Sequence, residues 1–392
     1  MSERTQVAII GAGPAGLVIS HLLHLQGIES VVLERRSRDF VEKRLRAGLL
    51  EQRTVDLLVS TGVGERLKRE AMVHTGVNFQ FEGERHRIPL DELTPGRNVT
   101  IYGQQEVVKD LIAARLAAGG VIHFEAEVES FQGLEGTRPM VRYRQNGEVR
   151  ELQADYIAGC DGFHGVCRGN IPGGRVYEKV YPFAWLGILA EVAPSCEELI
   201  YVRHERGFAL HTMRSPKLTR LYLQCPLTDT VEQWSDDRTW SELRARMNLP
   251  GWKLEDGPIL DKSITEMRSF VHEPMQHGRL YLAGDSAHIV PPTGAKGMNL
   301  AISDARFLAA ALIEFYKAGK SELLSRYTAN CLPHVWRAQH FSWWWTTLFH
   351  RFYDDDAAFQ DQLQVSQLRY MLSSKPALTS MAENYVGLER VA

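Results

Sequence analysis

The stretch QVAIIGAGPAG, from Gln6 to Gly16, decides the fold of this chain. Its first half, Gln6 to Ile10, is a short apolar run of the kind found in a fully buried parallel strand, and glycines follow at once. Helical spacing of apolar residues then extends from Pro14 to Gly27, and a second apolar run, Ser30 to Glu34, ends in an acid. This order predicts a strand–helix–strand unit with a glycine-rich turn after its first strand.

The glycine turn matches the spacing G-x-G-x-x-G, and each glycine has a physical role in it. Gly11 permits the tight turn, Gly13 lets backbone N–H groups approach a pyrophosphate, and Gly16 lets the helix pack closely on the sheet. The helix N-terminus directs a partial positive charge at the phosphates, and Glu34 is placed to accept a hydrogen bond from a ribose hydroxyl. The motif therefore predicts a dinucleotide site. The alternative is a turn that is rich in glycine for packing alone.

Two later segments indicate that the dinucleotide is FAD. Asp161 and Asp285 each follow an apolar strand pattern and lie next to glycine, in DYIAGCDG and RLYLAGD. An aspartate at the carboxyl end of a parallel strand can accept hydrogen bonds from ribityl hydroxyls, and residues 294–297 open a helix whose N–H groups can face an anion. Either Asp-Gly pair alone is equally well explained as a surface turn. Together with the first motif, the two pairs favour the long, extended FAD molecule.

The remaining patterns predict a mixed α/β fold. Residues 50–70 and 106–118 have the spacing of amphipathic helices, whereas residues 120–155 and 180–270 show the short alternation of antiparallel strands. Helical patterns dominate the C-terminal part of the chain. The predicted architecture is an FAD-binding Rossmann-like βαβ domain at residues 1–175, an antiparallel-sheet substrate domain at 176–274, and a C-terminal region at 275–392 that completes the FAD site and continues as interface helices.

Composition argues against several classes of function. The 392 residues are 44% hydrophobic and 24% charged, and a net charge of −3 provides no electrostatic basis for binding nucleic acid or an anionic membrane. The N-terminus has no signal-peptide pattern, and no apolar run reaches the length of a membrane span. The five cysteines are few, odd in number and without CxxC spacing. We therefore expect reduced thiols, no metal site and a cytoplasmic protein.

A run of three tryptophans, Trp343 to Trp345, stands out near the C-terminus. Such a run could form a stacking platform, but tryptophans within a helical pattern are more often core or interface residues. We expect these residues to be buried in the interface of a dimer.

Several motifs together resemble those of the single-component, FAD-dependent aromatic hydroxylases. They are GAGPAG with Glu34, RLRAGLLEQ from Arg44, CDGFHG from Cys160, YLAGDSAHIVPPTGAKGMN from Tyr281, and AENYVGL near the C-terminus. The resemblance runs nearly end to end and is strongest to members that act on 4-hydroxybenzoate. It implies hydroxylation at the 3-position to 3,4-dihydroxybenzoate, with bound FAD, O2 and transient NADPH or NADH, through a C4a-hydroperoxyflavin. It also implies a homodimer with no nucleic-acid or membrane partner.

The same resemblance implies a set of site residues. Those expected to bind FAD are Gly11, Gly13, Ala15, Gly16, Glu34, Arg44, Leu45, Arg46, Ala47, Gly48, Leu49, Gln104, Asp161, Asp285, Met298 and Asn299. Those expected to bind the substrate are Tyr201, Thr212, Met213, Arg214, Tyr222, Pro292 and Thr293, with Arg214 on the carboxylate and Tyr201 on the phenol. The expected catalytic residues are Tyr201, Tyr385, His74 and Pro292. Those expected to meet the nicotinamide coenzyme are Arg35, Arg44, Arg46, His164, Arg168 and Arg268.

The implied chemistry explains why these residue types are needed. An electrophilic oxygen donor attacks an electron-rich ring, so the protein must lower the pKa of the substrate phenol and carry its proton away. Tyr201, Tyr385 and His74 can each donate and accept a hydrogen bond. Arg214 lies in a strand pattern, where a guanidinium either faces solvent or awaits an anion such as a benzoate carboxylate. Without the resemblance, each tyrosine would be interpreted as an ordinary core residue.

Some positions depart from the family pattern, and alternatives remain open. Thr212 and Ala15 each stand where the best-known members carry serine. Arginines at positions 35, 36 and 38 favour the 2′-phosphate of NADPH, whereas Asp39, Glu42 and Phe40 leave NADH open. The alternative functions are hydroxylation of another phenolic acid, halogenation, and non-enzymatic binding on a dinucleotide fold. A halogenase would carry W-x-W-x-I-P, which this tryptophan run does not match.

Overall fold

The computed structural model describes residues 3–44, 46, 48–353 and 356–387, and it contains the strand–helix–strand unit at its N-terminal end. The strands are β1 (Glu3–Ile10), β2 (Ser30–Glu34), β3 (Leu49–Glu51), β4 (Met72–His74), β5 (Gly76–Phe81), β6 (Glu84–Pro89), β7 (Val99–Ile101), β8 (Val121–Phe124), β9 (Ala126–Gln132), β10 (Met140–Gln145), β11 (Glu148–Gly159), β12 (Arg175–Ala190), β13 (Ile200–Val202), β14 (Ala209–Ser215), β15 (Leu218–Cys225), β16 (Ile259–Glu273), β17 (Gln276–His277), β18 (Leu280–Leu282) and β19 (His288–Ile289). The helices are α1 (Pro14–Leu25), α2 (Arg38–Lys43), α3 (Gln52–Ser60), α4 (Glu65–Glu70), α5 (Leu90–Leu93), α6 (Gln104–Ala117), α7 (Asp236–Met247), α8 (Gly297–Ala318), α9 (Glu322–Ser325), α10 (Tyr327–Phe349), α11 (Ala357–Ser373) and α12 (Lys375–Val386).

The first large sheet holds the N-terminal unit. Its strand order is β17-β18-β11-β1-β2-β8, with β9 and β10 attached beside β11. Strand β1 pairs in parallel with both β11 and β2, which explains why Val7 to Ile10 are all apolar and buried. Strand β18 also pairs in parallel with β11, so a segment some 270 residues further along the chain extends the same sheet.

The second large sheet has the order β19-β16-β12-β15-β14-β13-β5-β6, and all its pairs are antiparallel except β13 with β5. A small third sheet has the order β3-β7-β4. The predicted mixed fold, with a parallel nucleotide-type sheet, an antiparallel sheet and a helical C-terminal region, is confirmed. The division into domains at residues 175 and 274 stays a prediction. The two sheets do not follow it strictly, because β5 and β6 come from the first predicted segment and belong to the second sheet.

Two local predictions were wrong. Residues 50–70 do not form one helix: they contribute the end of β3, then α3, and after a turn α4. The turn contains Gly62 at φ +85°, a left-handed conformation that ends α3, and Gly64, where a Cβ atom would lie 2.6 Å from the side chain of Val59. Residues 120–155 are not wholly antiparallel either, because β8 pairs in parallel with β2.

The helices α10, α11 and α12 pack an aromatic core against the second sheet. Phe79, Tyr201, Trp345 and Tyr385 belong to this core. Trp345 is fully buried within the chain, which contradicts its assignment to a dimer interface, whereas Trp343 is 40% exposed. The difference follows from helix geometry, since positions 343 and 345 face directions about 200° apart. Among the described residues, no helix is long and apolar enough to cross a membrane.

Candidate active site

A cavity of about 690 Å³ is lined by residues of both large sheets and of the loop before α8. The predicted site residues that line it are Gly11, Gly13, Ala15, Glu34, Arg35, Arg44, Arg46, Leu49, Gln104, Asp161, His164, Arg214, Tyr222, Arg268, Asp285, Pro292 and Met298. Those that pack outside the lining are Gly16, Gly48, His74, Arg168, Tyr201, Thr212, Met213, Thr293, Asn299 and Tyr385. Leu45 and Ala47 lie outside the described residues.

The glycine turn between β1 and α1 forms one end of the cavity. Gly11 has φ +106°, and a Cβ atom there would lie 2.3 Å from the carbonyl oxygen of Cys160. A Cβ atom on Gly16 would lie 2.1 Å from the Gly11 carbonyl oxygen, whereas one on Gly13 would meet nothing within 4 Å. Gly11 and Gly16 are therefore required by packing, and Gly13 leaves open space at the start of α1. That space, with the N–H groups of α1 behind it, is suited to a pyrophosphate.

The Glu34 carboxylate is buried at the end of β2 and is held by the backbone. Its two oxygens accept hydrogen bonds from the N–H of Ala12 and the N–H of Arg36, both at 2.8 Å. Each carboxylate oxygen can accept a further bond, so a ribose hydroxyl remains a suitable partner. These bonds also tie the glycine turn to the loop after β2.

Two aspartates approach the cavity from the neighbouring strands. Asp285 faces the cavity, where burial by surrounding protein raises the pKa of its carboxyl and His288, Arg46 and Arg44 oppose that rise. Asp161 accepts a hydrogen bond from the N–H of Cys167 at 2.9 Å through one oxygen. Its other oxygen is buried and has no hydrogen-bond partner among the described residues. A ligand hydroxyl would satisfy it.

The loop that carries Asp285 is fixed from behind by a buried pair. The Asp304 carboxylate accepts hydrogen bonds from the N–H of Gly284 at 2.9 Å and from Nε2 of His288 at 2.5 Å. Although burial alone would lower the pKa of His288, the adjacent carboxylate raises it overall. The carboxylate therefore favours the protonated form of this imidazole beside the turn.

Gly48 and Asn299 lie in the wall behind the cavity. A Cβ atom on Gly48 would lie 2.4 Å from Cα of Gly103, so the two backbones approach closely there. The amide of Asn299 accepts from the N–H of Glu51 at 2.9 Å and donates to the carbonyl of Leu49 at 2.9 Å. Its side chain is thus committed to protein partners, and an FAD contact by this residue stays a prediction.

The electrostatics of the cavity depend on Arg214. Its guanidinium donates to Oγ1 of Thr212 at 3.2 Å, to the carbonyl of Met213 at 2.9 Å and to the hydroxyl of Tyr222 at 3.4 Å. All these partners are neutral oxygens, and burial lowers the pKa of Arg214. Burial would raise the pKa of Tyr222, but Arg214 and Arg220 together hold it below its ordinary value. The cavity therefore presents a positive charge that its nearest neighbours do not neutralise.

Strand register explains how these residues come together. Tyr201 on β13 lies opposite Leu210 on β14, which lies opposite Tyr222 on β15, and this in turn lies opposite Gly187 on β12. Thr212 follows Leu210 at an interval of two and shares its face of the sheet. The register shifts between Met213 and Ser215, so Arg214 lies at an irregularity of the strand, from which its side chain reaches Thr212 and Tyr222. This row of residues, from Tyr201 across to Tyr222, places polar groups between the buried core and the cavity.

A hydrogen-bonded tyrosine pair lies beneath the loop before α8. The hydroxyls of Tyr201 and Tyr385 are 2.9 Å apart, and Tyr201 also donates to the carbonyl of Thr293 at 3.1 Å. Burial raises the pKa of both phenols. Pro292, next to Thr293, lines the cavity, so the pair is one residue behind the cavity wall.

Two predicted residues have less direct placements. His74 is buried, which lowers its pKa to about 4, and neither ring nitrogen has a hydrogen-bond partner among the described residues. It therefore makes no hydrogen bond to the tyrosine pair, and its place in a proton path stays a prediction. Arg168 donates to the carbonyls of Phe163 and Ser286, at 2.8 and 3.2 Å, behind the cavity wall.

Trp185 and His350 belong to the site but were not predicted from the sequence. Trp185 lines the cavity, and its indole N–H donates to Nε2 of His350 at 2.6 Å. Nδ1 of His350 lies 2.9 Å from the carbonyl of Thr346, and burial lowers the pKa of this histidine to about 3. A neutral imidazole thus fixes the tryptophan. The two residues are 165 positions apart, so no local pattern connects them.

Known proteins identify the family to which these features belong. A family model described as an FAD binding domain matches residues 4–342. The chain is 50% identical over 391 residues to the p-hydroxybenzoate hydroxylase of Acinetobacter baylyi, covering 98% of this chain and 96% of that protein. It is 27% identical over 346 residues to a probable NADH-specific resorcinol 4-hydroxylase of Rhodococcus jostii, covering 85% of this chain and 63% of that protein.

The solved structure of p-nitrophenol 4-monooxygenase from Pseudomonas putida has the same fold, with a TM-score of 0.87 over the whole of both chains at 19% identity. The family match and the 50% identical relative define the chain as a flavin-dependent oxidoreductase. The chain belongs to the FAD-binding-domain family and is an FAD-dependent aromatic hydroxylase.

The glycine turn offers a test of where FAD binds. Gly13→Ala should leave the stability of the FAD-free protein within about 0.5 kcal/mol of wild type, because the new methyl group meets open space. It should weaken FAD binding at least about tenfold, because the methyl group occupies the approach of the pyrophosphate. Gly16→Ala should instead cost about 1–3 kcal/mol of stability, since its methyl group meets the Gly11 carbonyl.

Urea unfolding of the FAD-free proteins and fluorescence titration with FAD measure the two effects. Unchanged FAD affinity in Gly13→Ala would place the pyrophosphate elsewhere.

Proposed function

We propose that this chain hydroxylates 4-hydroxybenzoate at the 3-position, using O2 and NADPH, to give 3,4-dihydroxybenzoate. The observation that carries the proposal is Arg214, a charged side chain in the cavity wall whose partners are neutral oxygens. A benzoate carboxylate would supply the missing anion and fits the planar guanidinium. The similarity to the p-hydroxybenzoate hydroxylase of Acinetobacter baylyi supports the same substrate.

The second recognition element is the tyrosine pair. A ring whose carboxylate meets Arg214 would direct its para hydroxyl along the row of residues that leads to Tyr201. Tyr201 already bonds Tyr385, so a substrate phenol that donates to Tyr201 would join a chain of hydroxyls. Ionising the phenol concentrates electron density on the carbon next to it, which is the 3-position.

The residues of this chain would bind the ring, exclude water and move the phenolic proton. When bound, FAD supplies hydride acceptance from the coenzyme and activation of O2. The overall reaction consumes one substrate, one O2, one NADPH and one proton, and yields the diphenol, water and NADP⁺. Trp185, fixed by His350, and Pro292 would hold the ring in place, while Tyr201 accepts the phenolic proton as it passes its own to Tyr385.

Arginines in the cavity wall support NADPH as the coenzyme. Arg35, Arg44 and Arg46 line the cavity. The acids nearby are engaged within α2, where Glu42 pairs with Arg38 at 2.6 Å and Asp39 with Lys43 at 2.7 Å. The remaining positive charge would favour a 2′-phosphate.

We also infer a cytoplasmic homodimer. Trp336 and Trp343, seven residues apart on one face of α10, are 41% and 40% exposed, and a partner subunit would cover them. The five cysteines are free, as expected in a reducing compartment.

A substrate panel tests the proposal. Protein loaded with FAD is mixed with NADPH or NADH and a set of hydroxybenzoates and aminobenzoates, and both coenzyme oxidation and hydroxylated product are measured. We expect 3,4-dihydroxybenzoate from 4-hydroxybenzoate and faster turnover with NADPH. Product only from another phenolic acid would support the alternative substrate. A protein that cannot be loaded with FAD would contradict any hydroxylase function.

Arg214→Ala should weaken binding of 4-hydroxybenzoate by about 2–4 kcal/mol, because the carboxylate loses a charged, bidentate partner. Equilibrium titration of the FAD-loaded protein measures the change. Lys217→Ala, in the exposed turn between β14 and β15, is the matched control and should bind as wild type does. Unchanged affinity in Arg214→Ala would remove this residue from the site.

Tyr201→Phe should still oxidise NADPH in the presence of substrate but release hydrogen peroxide in place of product. The variant keeps the ring and its packing and loses only the oxygen that accepts the phenolic proton. Tyr370→Phe, in which the altered tyrosine is 57% exposed on α11, is the control. Product formation that stays coupled to NADPH oxidation in Tyr201→Phe would contradict the proton role.

A further inference from the structure

Trp345 lies between the two tyrosines. Its ring centroid is 5.5 Å from that of Tyr201, edge to face, and 5.9 Å from that of Tyr385. All three side chains are buried, with exposures of 0 to 1%. Phe79 and Phe341 enclose the indole at 5.3 and 5.4 Å, so it has little freedom to turn away.

The indole N–H of Trp345 is unsatisfied. It is buried and has no hydrogen-bond partner within the part of the chain that the structure describes. A buried tryptophan usually finds a partner for this donor, because an unmade hydrogen bond carries the full cost of desolvation. Such an exception calls for an explanation in the chemistry around it.

Tyr201 is the nearer of the two tyrosines to this indole, with ring centroids 5.5 Å apart in edge-to-face contact, so its oxygen is the candidate acceptor. Burial raises the pKa of the Tyr201 phenol, and the neighbouring polar groups of Tyr385 and Trp345 oppose that rise. In its neutral form, the Tyr201 hydroxyl already donates to Thr293 and bonds Tyr385. An ionised substrate phenol that accepts the Tyr201 proton in a hydrogen bond would increase the negative charge on the Tyr201 oxygen. That oxygen would then be a stronger acceptor for the indole, because hydrogen bonds in a chain polarise one another and charge assistance strengthens them.

We propose that the indole N–H of Trp345 is a second donor, beside Tyr385, to the Tyr201 oxygen, and that it acts when the substrate phenol bonded to Tyr201 is ionised. The proposal rests on the proposed function, in which a substrate phenol gives its proton to Tyr201. One O–H bond breaks on the phenol and one forms on Tyr201, while the former Tyr201 proton passes to Tyr385. Tyr385 releases its own proton to water, so both tyrosines end neutral and the negative charge stays on the substrate oxygen. Trp345 gives up no proton and does not touch the ring, so it is a positioning residue.

Other ionisable groups near the pair do not replace this donor. Lys296 faces the Tyr385 ring at 5.8 Å, but its ammonium donates to the Glu51 carboxylate at 2.6 Å and to the Tyr385 carbonyl at 2.8 Å. Tyr222 acts on Tyr201 through space and would raise its pKa. The indole is thus the uncommitted donor in this set of neighbours.

Trp345→Phe tests the proposal by removing the N–H while keeping an aromatic ring. In the FAD-loaded protein, the absorbance of the phenolate reports the pH at which bound 4-hydroxybenzoate ionises. We expect this pH to rise by about one unit, that is, a roughly tenfold loss of phenolate at a given pH. The fraction of NADPH oxidation that yields product should fall with it. Affinity for benzoate, which has no phenol, should stay at the wild-type value.

Trp343→Phe is the matched control, because this tryptophan lies on the same helix, is 40% exposed and contacts His340 away from the pair. It should ionise the bound substrate at the wild-type pH. If Trp345→Phe does not fold, 3-benzothienylalanine at position 345 keeps the shape of the indole with sulfur in place of N–H, and the same shift is expected.

Two results would overturn the proposal, and they are distinguishable. Wild-type ionisation of 4-hydroxybenzoate bound to Trp345→Phe, or to the benzothienylalanine protein, would remove Trp345 from the proton chain and leave the proposed function intact. Failure of the wild-type protein to bind 4-hydroxybenzoate would overturn the proposed function and this inference together.

Discussion

The constraint on which the site depends is a guanidinium in the wall of a cavity, whose hydrogen-bond partners among the described residues are all neutral oxygens. A charge that is partly removed from water needs an anion or a dense set of hydrogen bonds. The bonds of Arg214 go to uncharged oxygens of Thr212, Met213 and Tyr222, at 3.2, 2.9 and 3.4 Å. The protein tolerates this cost because the second sheet fixes the strand that bears the arginine on both sides. An anionic ligand would repay the cost on binding. The same charge lowers the pKa of the Tyr222 phenol, so Arg214 also sets the electrostatics of the tyrosine beside it.

The two glycine-rich motifs belong to one sheet edge, although they are far apart in sequence. Strands β1, β11 and β18 run parallel and adjacent, so the turns after them meet at one edge. Gly11, Asp161 and Asp285 follow these three strands in that order across the sheet. The loop after β19 leads through Pro292 to the N-terminus of α8. This loop forms part of the cavity wall next to the edge of the first sheet where those three turns meet. An extended cofactor and the ring to be oxidised can therefore share one cavity.

Much of this could be predicted from the sequence, and the failures have physical causes. Strand β2 and helix α1 were found because apolar periodicity and a glycine turn are local signals. The single helix over residues 50–70 was wrong because periodicity continues across the turn at Gly62, where only the backbone conformation changes. Trp345 was placed at an interface because burial against Tyr201 and Tyr385 depends on pairings between distant segments. The Trp185–His350 bond escaped for the same reason.

The aromatic core beside the cavity combines tight packing with polar groups that an ordinary core would exclude. Burial makes each tyrosine reluctant to ionise, which by itself opposes the removal of a phenolic proton. Donors that are fixed before the charge forms offset that penalty without reorganising when it appears. Tyr385 is bonded to Tyr201 in this way, and Trp345 would be a second donor under the inference above; the packing of α10 and α12 holds both in place. The unsatisfied indole N–H of Trp345 costs folding stability. Local costs of this kind are found at functional sites, and this one lies beside Tyr201.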